Sequence, residues 1–369
     1  MTSCLRWLPF LGSNRFVSGM LTNRFSLNVL AGYSGGVRGI EIGGLMNMDR
    51  GDVRVVQIGG IGNIVGGQTD GLQVGGFFNV TAGRMNGWQM AGFTNIAIDT
   101  LMGVQISGFA NVLRGVMYGP QISGFANFTS QNVDGIQLSG FTNIAIKDVK
   151  FGQISGFANY GRDVSGVQIA GFTNVSTGTN KSLQLSGFLN YATDLHGLQI
   201  APFNYADTVS AGLPVGVFSF VRRGFHPIEI STEEMFWANL SFKTGVNGFY
   251  NIFSAGYSGD MAYAGYGIGS QFYIKKKFSP GLEFQTRAIV GIEDEISFKG
   301  IQNKLQLNFT WKFHKHFSIT TGPSLNGVIG TKDFPQSENL LISSLPIETY
   351  SLEASDMRYW FGWSLGVRL

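Results

Sequence analysis

The sequence predicts an all-β protein in which an N-terminal β-solenoid of 16-residue coils is followed by a C-terminal antiparallel β-barrel of about eight strands. Two observations predict this fold. A motif with a period of 16 residues fills the first half of the chain, and alternation of apolar and polar residues fills much of the second half. The composition agrees, because 53 glycines, 31 phenylalanines and only 13% charged residues are more typical of β structure than of helix.

The repeat is clearest in residues 103–112, Gly-Val-Gln-Ile-Ser-Gly-Phe-Ala-Asn-Val. From Asn47 to Asn204 its asparagine recurs at steps of 16 residues seven times and then at steps of 15, 16 and 14. A glycine, a phenylalanine and a glutamine recur three, two and six residues before it. Fixed residues at a fixed period predict equivalent positions stacked in successive coils. The predicted structural ladder consists of Asn63, Asn79, Asn95, Asn111, Asn127, Asn143, Asn159, Asn174 and Asn190, with Phe77, Phe93, Phe109, Phe125, Phe141, Phe157, Phe172 and Phe188.

Each coil is predicted to contain two short strands, as in residues 104–107 and 109–112, joined by a bend at Gly108. We expect the phenylalanines to stack as an internal column, together with the apolar residue that follows each asparagine. Asparagine at a coil corner can satisfy backbone groups that the bend leaves unpaired. Eleven coils spaced at about 4.8 Å would form a rod of about 50 Å.

Charged residues are confined to one part of each coil. In the eight copies with phenylalanine, the segment from seven residues before the asparagine to one residue after it carries no charge, whereas each following linker does. Nine uncharged residues are also the length of a membrane-spanning β-strand, so a single barrel of about nineteen strands, acting as a channel, is an alternative. In a membrane strand, alternation would place Gln105, Phe109 and Asn111 on the same face, so that aromatic and polar side chains would not separate. The solenoid is therefore favoured.

The chain divides into three segments in this interpretation. Residues 1–23 form a leader or cap without a clear signal sequence, because Pro9 interrupts a short apolar patch. Residues 24–206 form the solenoid, and residues 207–369 form an outer-membrane-type barrel.

The predicted barrel is based on strands such as residues 359–369, in which Tyr359, Phe361, Trp363, Leu365 and Val367 share one face. Aromatic residues outside and polar residues inside over about ten residues are typical of membrane barrels. A soluble sandwich with one buried face would show the same parity. The predicted strands lie near residues 214–222, 227–243, 248–257, 263–274, 281–292, 301–313, 316–328 and 358–369. Short connections would lie on the periplasmic side, and a long loop over residues 330–357 would lie outside.

The repeat copies, the segment 212–221 and the run 249–253 (Phe-Tyr-Asn-Ile-Phe) resemble those of uncharacterised surface-repeat proteins of Bacteroidota. The resemblance covers roughly residues 24–369. It implies a location in the cell envelope of a Gram-negative bacterium, at the outer membrane. It implies no activity, ligand or catalytic residue.

The chemistry of the sequence predicts no enzyme. Of the four histidines, only His314 and His316 could hold a metal between them, and no carboxylate or thiol is positioned with that pair. The single Cys4 excludes an internal disulfide, so we predict no catalytic residue, cofactor or metal. A net charge of +3 with scattered basic residues argues against nucleic acid. The leading hypothesis is a barrel-anchored repeat scaffold whose partners are outer-membrane lipid and an unidentified protein or glycan. The alternatives are the single large barrel and a secreted adhesive solenoid.

Overall fold

A computed structural model describes residues 2–8, 11–12, 15–272, 274, 277–292, 296–314, 317–331, 348–351 and 355–369. The chain forms two compact units. Unit 1 comprises Met1–Pro202 and Ser210–Gly212, and unit 2 comprises Phe203–Val209 and Leu213–Leu369. Unit 1 therefore contains most of the repeat, and unit 2 contains its last strands together with the antiparallel sheet.

The described residues of unit 1 form a 3₁₀ helix, Arg15–Met20, and short strands. The strands are β1 (Thr2–Leu8), β2 (Leu11–Gly12), β3 (Thr22–Asn28), β4 (Ala31–Ser34), β5 (Gly36–Gly43), β6 (Met46–Asp49), β7 (Val53–Gly59), β8 (Gly62–Val65), β9 (Thr69–Gly75), β10 (Phe78–Thr81), β11 (Met85–Ala91), β12 (Thr94–Ala97), β13 (Leu101–Ser107), β14 (Ala110–Leu113), β15 (Met117–Tyr118), β16 (Gln121–Ser123), β17 (Ala126–Thr129), β18 (Val133–Asp134), β19 (Ile136–Ser139), β20 (Thr142–Ala145), β21 (Gly152–Ser155), β22 (Ala158–Gly161), β23 (Val167–Ala170), β24 (Thr173–Asn180), β25 (Leu183–Ser186), β26 (Leu189–Leu195) and β27 (Leu198–Ile200).

Apart from β2, which pairs antiparallel with β1, these strands form two parallel sheets, and each coil contributes to both. In the glutamine sheet, Gln105 of β13 pairs with Gln89 of β11 and with Gln121 of β16. In the asparagine sheet, Asn111 of β14 pairs with Asn95 of β12 and with Asn127 of β17. This pairing confirms the β-solenoid. The single large barrel is wrong for the described residues, because up-and-down strands of a barrel pair antiparallel.

The bend between the two strands of a coil depends on glycine because consecutive coils approach closely there. A Cβ atom on Gly108 would lie 2.1 Å from the carbonyl oxygen of Gly92, and one on Gly124 would lie 2.1 Å from that of Gly108. No side chain fits at that distance from a backbone atom. The glycine column is therefore required by the spacing between coils, and the bend predicted at Gly108 is confirmed.

The apolar core of unit 1 is narrow and lies away from this bend, in the half of the coil nearer the charged linkers. Residues two positions after the asparagines contribute to it, and so do residues at the start of the glutamine-sheet strands. Its members are Met85, Ala97, Leu101, Leu113, Met117, Val133, Ala145, Val149 and Val164.

Unit 2 begins with coil strands and continues as an antiparallel sheet. The strands are β28 (Phe203–Val209), β29 (Leu213–Val215), β30 (Phe218–Val221), β31 (Ile228–Glu233), β32 (Ala238–Val246), β33 (Phe249–Tyr257), β34 (Met261–Gln271), β35 (Phe278–Gly291), β36 (Ser297–His314), β37 (Phe317–Thr331), β38 (Glu348–Ser351) and β39 (Ser355–Arg368).

The antiparallel sheet closes on itself, since β31 pairs with β39 as well as with β32. Eight strands, β31–β37 and β39, form the closed barrel, and β38 adds a ninth strand beside β39. Two predicted strands are wrong. Residues 214–222 belong to the coil strands β29 and β30, and residues 227–243 divide into β31 and β32.

Within unit 2, the coil strand β30 covers part of one end of the barrel. The backbone N–H of Ser219 donates to Asn251 Oδ1 at 2.9 Å, and Thr244 Oγ1 donates to the carbonyl oxygen of Ser219 at 3.1 Å. This end carries the short connections after β32, β34 and β36. Most of the long connection predicted over residues 330–357 lies outside the described residues.

Candidate functional site

The interior of the solenoid is lined by two ladders of amide side chains, and every predicted ladder asparagine is at most 1% exposed. In the asparagine ladder, Asn111 Nδ2 donates to Asn127 Oδ1 at 3.0 Å, and Asn127 Nδ2 donates to Asn143 Oδ1 at 2.9 Å. The same nitrogen of Asn111 also donates to the carbonyl oxygen of Ile122 at 2.8 Å. Asn111 thus bonds both to a side chain and to the backbone of the next coil.

The glutamine ladder runs in the opposite direction. Gln121 Nε2 donates to Gln105 Oε1 of the preceding coil at 2.7 Å, and Gln137 Nε2 donates to Gln121 Oε1 at 2.9 Å. A chain of donors that points toward the N-terminus needs an acceptor at its end. Glu41 is that acceptor, because its buried carboxylate accepts a hydrogen bond from Gln57 Nε2 at 2.9 Å.

The phenylalanines stack, but they do not form an internal column. Adjacent rings from Phe77 to Phe188 lie 4.7 to 5.0 Å apart between centroids with interplanar angles of 10° or less, and all eight side chains are between 39% and 52% exposed. The prediction of an internal phenylalanine column is therefore wrong. The residue after each asparagine, from Met48 through Ile64 and Val112 to Tyr205, was predicted to be internal and also faces outward.

The reason lies in the bend. Alternation along one continuous strand would turn Phe109 to the same side as Asn111, but the strand begins only at Ala110. Gly108 and Phe109 form the corner of the coil, where the chain direction changes and the parity rule does not apply. The ring therefore points away from the interior, which the asparagine and glutamine amides already fill.

Apolar side chains flank the phenylalanine column on both outer faces of the coil. Ile122 and Ile154 follow the glutamines on one face, and Ile64 follows an asparagine on the other, and each is at least 36% exposed. We call this region the apolar edge. It comprises the outward-facing side chains from the residue before the glutamine to the residue after the asparagine in the nine coils from Asn63 to Asn190, of which the first carries Ile61 in place of phenylalanine.

The opposite side of the coils, which we call the charged edge, carries ion pairs between consecutive linkers. Lys150 Nζ lies 2.8 Å from Asp134 Oδ2, and this hydrogen bond raises the pKa of Lys150. Arg162 Nη2 lies 2.7 Å from Asp148 Oδ1, and the hydrogen bonds between these side chains raise the pKa of Arg162. Members of the charged edge include Arg84, Asp99, Arg114, Asp134, Lys147, Asp148, Lys150, Arg162, Asp163, Lys181 and Asp194.

The barrel of unit 2 has an ionic interior. Lys243 Nζ lies 2.9 Å from Glu229 Oε2 and 2.6 Å from Glu283 Oε1, and Arg368 Nη2 lies 2.8 Å from Glu229 Oε2. Tyr250 Oη donates to Glu283 Oε1 at 2.8 Å. These groups are nearly fully buried. They form a connected network in which each carboxylate has a cationic partner.

A second ionic group lies farther along the interior. Arg287 and Lys304 both contact the carboxylate of Glu233. Glu234, the next residue, accepts hydrogen bonds from Trp360 Nε1 at 2.8 Å and from Asn326 Nδ2 at 3.0 Å. Paired polar side chains therefore fill much of the inside of the barrel, and a buried apolar cluster that includes Phe236 and Ile289 fills another part.

The outside of the barrel is apolar along the same strands. Residues that alternate with the ionic ones point outward, and in each case more than a third of the side chain is exposed. They include Leu240, Leu282, Phe284, Leu305, Leu307, Trp311, Leu325, Ile329, Phe361, Trp363 and Leu365.

Comparison with known proteins yields no matching family model, no matching curated protein and no matching solved structure. Among the described residues, no group of three or more His, Cys, Asp or Glu side chains could hold a metal ion. In the part of the chain that the structure describes, no helix has the length and apolar character needed to span a membrane.

The period of the repeat located both ladders in the sequence, but the ionic network of the barrel was not predicted. The alternation in β35 and β36 contained the signal, because Glu283, Arg287 and Lys304 occupy alternate positions on the face that is buried. Opposite charges at inward positions of neighbouring strands predict internal ion pairs. The sequence does not show which carboxylate each cation contacts.

Proposed function

We propose that this protein is a non-enzymatic scaffold of the cell envelope, anchored in the outer membrane of a Gram-negative bacterium by the barrel of unit 2. The polarity of the barrel wall carries this proposal. Apolar side chains such as Leu305 face outward, and charged side chains such as Lys304 face inward. A barrel in water would gain nothing from this arrangement, whereas in lipid it places apolar groups against acyl chains and buries charge.

The filled interior argues against a channel. An eight-stranded barrel encloses only enough space for side chains, and here Lys243, Glu283 and Arg368 occupy it as paired charges. The closure of β31 on β39 argues against a sandwich tail, and so against a secreted adhesive solenoid of that design. The barrel is better suited to anchoring than to transport.

The scaffold role belongs to the solenoid. Its charged edge repeats once per coil, so that similar groups such as Lys150 and Arg162 recur along the rod. Regular repeats of this kind suit extended or repetitive ligands, because each coil can make the same contact. We propose that the partner of this edge is a protein or a glycan.

The experiment compares two arginine substitutions on the outside of β36. Leu305 lies near the middle of the strand and the outward-facing Phe298 at its second residue. In phosphatidylcholine vesicles, Leu305→Arg is expected to cost about 2–4 kcal/mol of folding free energy and Phe298→Arg about 0–1 kcal/mol, since the cost of arginine on a lipid-facing wall depends on depth. Reversible urea unfolding in vesicles measures both.

Equal tolerance of the two substitutions would contradict membrane anchoring. So would a purified chain that stays folded and monodisperse in buffer without detergent, because the apolar wall would then be stable in water.

A further inference from the structure

The apolar edge of unit 1 is larger than the exposed apolar patches of ordinary monomers. It extends over nine coils, and the rings in eight of them repeat at 4.7 to 5.0 Å. Two four-residue strands and a corner per coil give an area of roughly 1,000 Å² or more. The largest patch on a typical soluble monomer is about 300–600 Å², so we expect another molecule or an apolar medium to shield this surface from water.

The shape of the apolar edge indicates what contacts it. It occupies three sides of the coil: the outer face that carries Ile154, the corner that carries Phe141, and the outer face that carries Ile64. A second copy of the chain, or any partner with a flat surface, would cover one of these sides and leave two in water. A surrounding apolar medium covers all three.

The charge distribution fits a lipid bilayer. No charged residue lies in the segment from seven residues before the asparagine to one residue after it in any of the eight copies with phenylalanine. Acidic and basic residues are mixed on the charged edge, as in the pairs of Lys150 with Asp134 and Arg162 with Asp148. Uncharged surface thus matches acyl chains, and mixed charge matches zwitterionic headgroups and water.

The backbone at the corner is compatible with hydrocarbon, which has no hydrogen-bonding groups. The N–H of Phe109 donates to the carbonyl oxygen of Phe93 at 2.9 Å, and the N–H of Phe125 donates to that of Phe109 at 2.9 Å. Segments in lipid must satisfy their backbone polar groups internally, and a parallel solenoid does so between coils as a barrel does between strands. The amide ladders likewise hold the polar side chains inside.

The depth of the coil matches one leaflet. From Phe109 to Leu113 the chain advances four residues, or about 13 Å at a strand rise of about 3.3 Å per residue. Half of a hydrocarbon core about 30 Å thick is about 15 Å. We propose that the solenoid lies edge-on in a membrane leaflet, with the apolar edge among the acyl chains and the charged edge at the headgroups. This proposal rests on the proposed membrane anchorage only in that both require a bilayer.

The test is spin labelling of single cysteines in the full-length chain, reconstituted in phosphatidylcholine vesicles. Cys4, the one native cysteine, is replaced by serine. Labels are placed on the three sides of the apolar edge by Ile64→Cys, Phe141→Cys and Ile154→Cys. Lys181→Cys is the control on the charged edge, and Leu305→Cys is the reference on the barrel wall. Collision with oxygen, which concentrates in lipid, is compared with collision with a water-soluble nickel chelate.

We expect the three apolar-edge labels to collide with oxygen and to be protected from nickel, as at position 305, while the label at 181 collides with nickel. Nickel collision at all three apolar-edge sites, with lipid exposure kept at 305, would overturn this proposal and leave the barrel anchor standing. Protection of one flat face from both reagents, with nickel collision at the other two sites, would overturn it in favour of a second copy. Lipid exposure at the three sites with nickel collision at 305 would support it and overturn the barrel anchor.

Discussion

A single amide side chain connects three coils of the solenoid. Asn111 Nδ2 donates to Asn127 Oδ1 in the following coil, and its own Oδ1 accepts from Asn95 Nδ2 in the preceding coil, both at 3.0 Å. The amide group carries both donors and an acceptor, which a carboxylate or an alkyl group does not. A buried polar interior is stable here because every rung of the ladder supplies the partner of the next.

The glutamine ladder leads to a prediction at the scale of one residue. Gln121→Leu removes the acceptor of Gln137 Nε2 and of Thr129 Oγ1, and the donor to Gln105 Oε1. Each buried group left unpaired costs about 1–3 kcal/mol, so we expect a total loss of about 3–5 kcal/mol in unfolding free energy. Urea titration of the full chain in detergent micelles measures this loss.

The control lies two residues away in the same strand. Ser123 is buried, but its hydroxyl makes no hydrogen bond, and Ala170 occupies the equivalent position in a later coil. Ser123→Ala should therefore be neutral or slightly stabilising, because it removes a buried hydroxyl without a partner. Similar losses for Gln121→Leu and Ser123→Ala would show that the ladder contributes nothing specific.

At the scale of the element, the coil shows what the period could and could not predict. The repeat spacing located the glutamines, asparagines, glycines and phenylalanines, and stacking in register follows from a constant period. It predicted the bend at Gly108 but could not show that Phe109 belongs to the corner rather than to the following strand, because the direction of a side chain at a bend depends on how closely two coils approach. A Cβ atom on Gly108 would lie 2.1 Å from the oxygen of Gly92, and this distance is set by the packing of consecutive coils.

The true core of the coil gives the second prediction. Leu113 is fully buried in the apolar cluster, whereas Phe125 is 41% exposed and stacks on Phe109 and Phe141. Leu113→Ala should cost about 2–5 kcal/mol through lost burial and a cavity. Phe125→Ala should cost about 1 kcal/mol, the worth of aromatic stacking contacts.

Thermal melts of both variants in one detergent provide the comparison. A larger loss of thermal stability for Phe125→Ala than for Leu113→Ala would contradict this prediction. It would support an internal phenylalanine column and an apolar cluster at the surface.

At the scale of the whole molecule, both units bury many polar side chains and expose many apolar ones, although each also contains a buried apolar cluster. The alternation near the C-terminus predicted this for the barrel, and the eight-strand count was confirmed although two of the strands were misplaced. Residues 214–222 combine alternation with the repeat, so that parity alone could not distinguish coil strands β29 and β30 from a barrel strand. The break within residues 227–243 is a tight turn, in which the N–H of Glu233 donates to the carbonyl oxygen of Phe236 at 3.1 Å. No glycine or proline marks it in the sequence.

The ionic interior of the barrel gives the last prediction. Glu233 is buried between Arg287 and Lys304, so Glu233→Gln keeps the shape of the side chain but leaves two buried cations without their shared anion. Breaking a buried pair in this way costs about 3–5 kcal/mol, because the remaining charge is neither solvated nor compensated. Asp356→Asn, which removes a partly exposed pair with Arg358 at 3.6 Å, should cost about 0–1 kcal/mol. Urea unfolding in phosphatidylcholine vesicles should separate the two variants, and equal losses would mean that the network does not hold the barrel together.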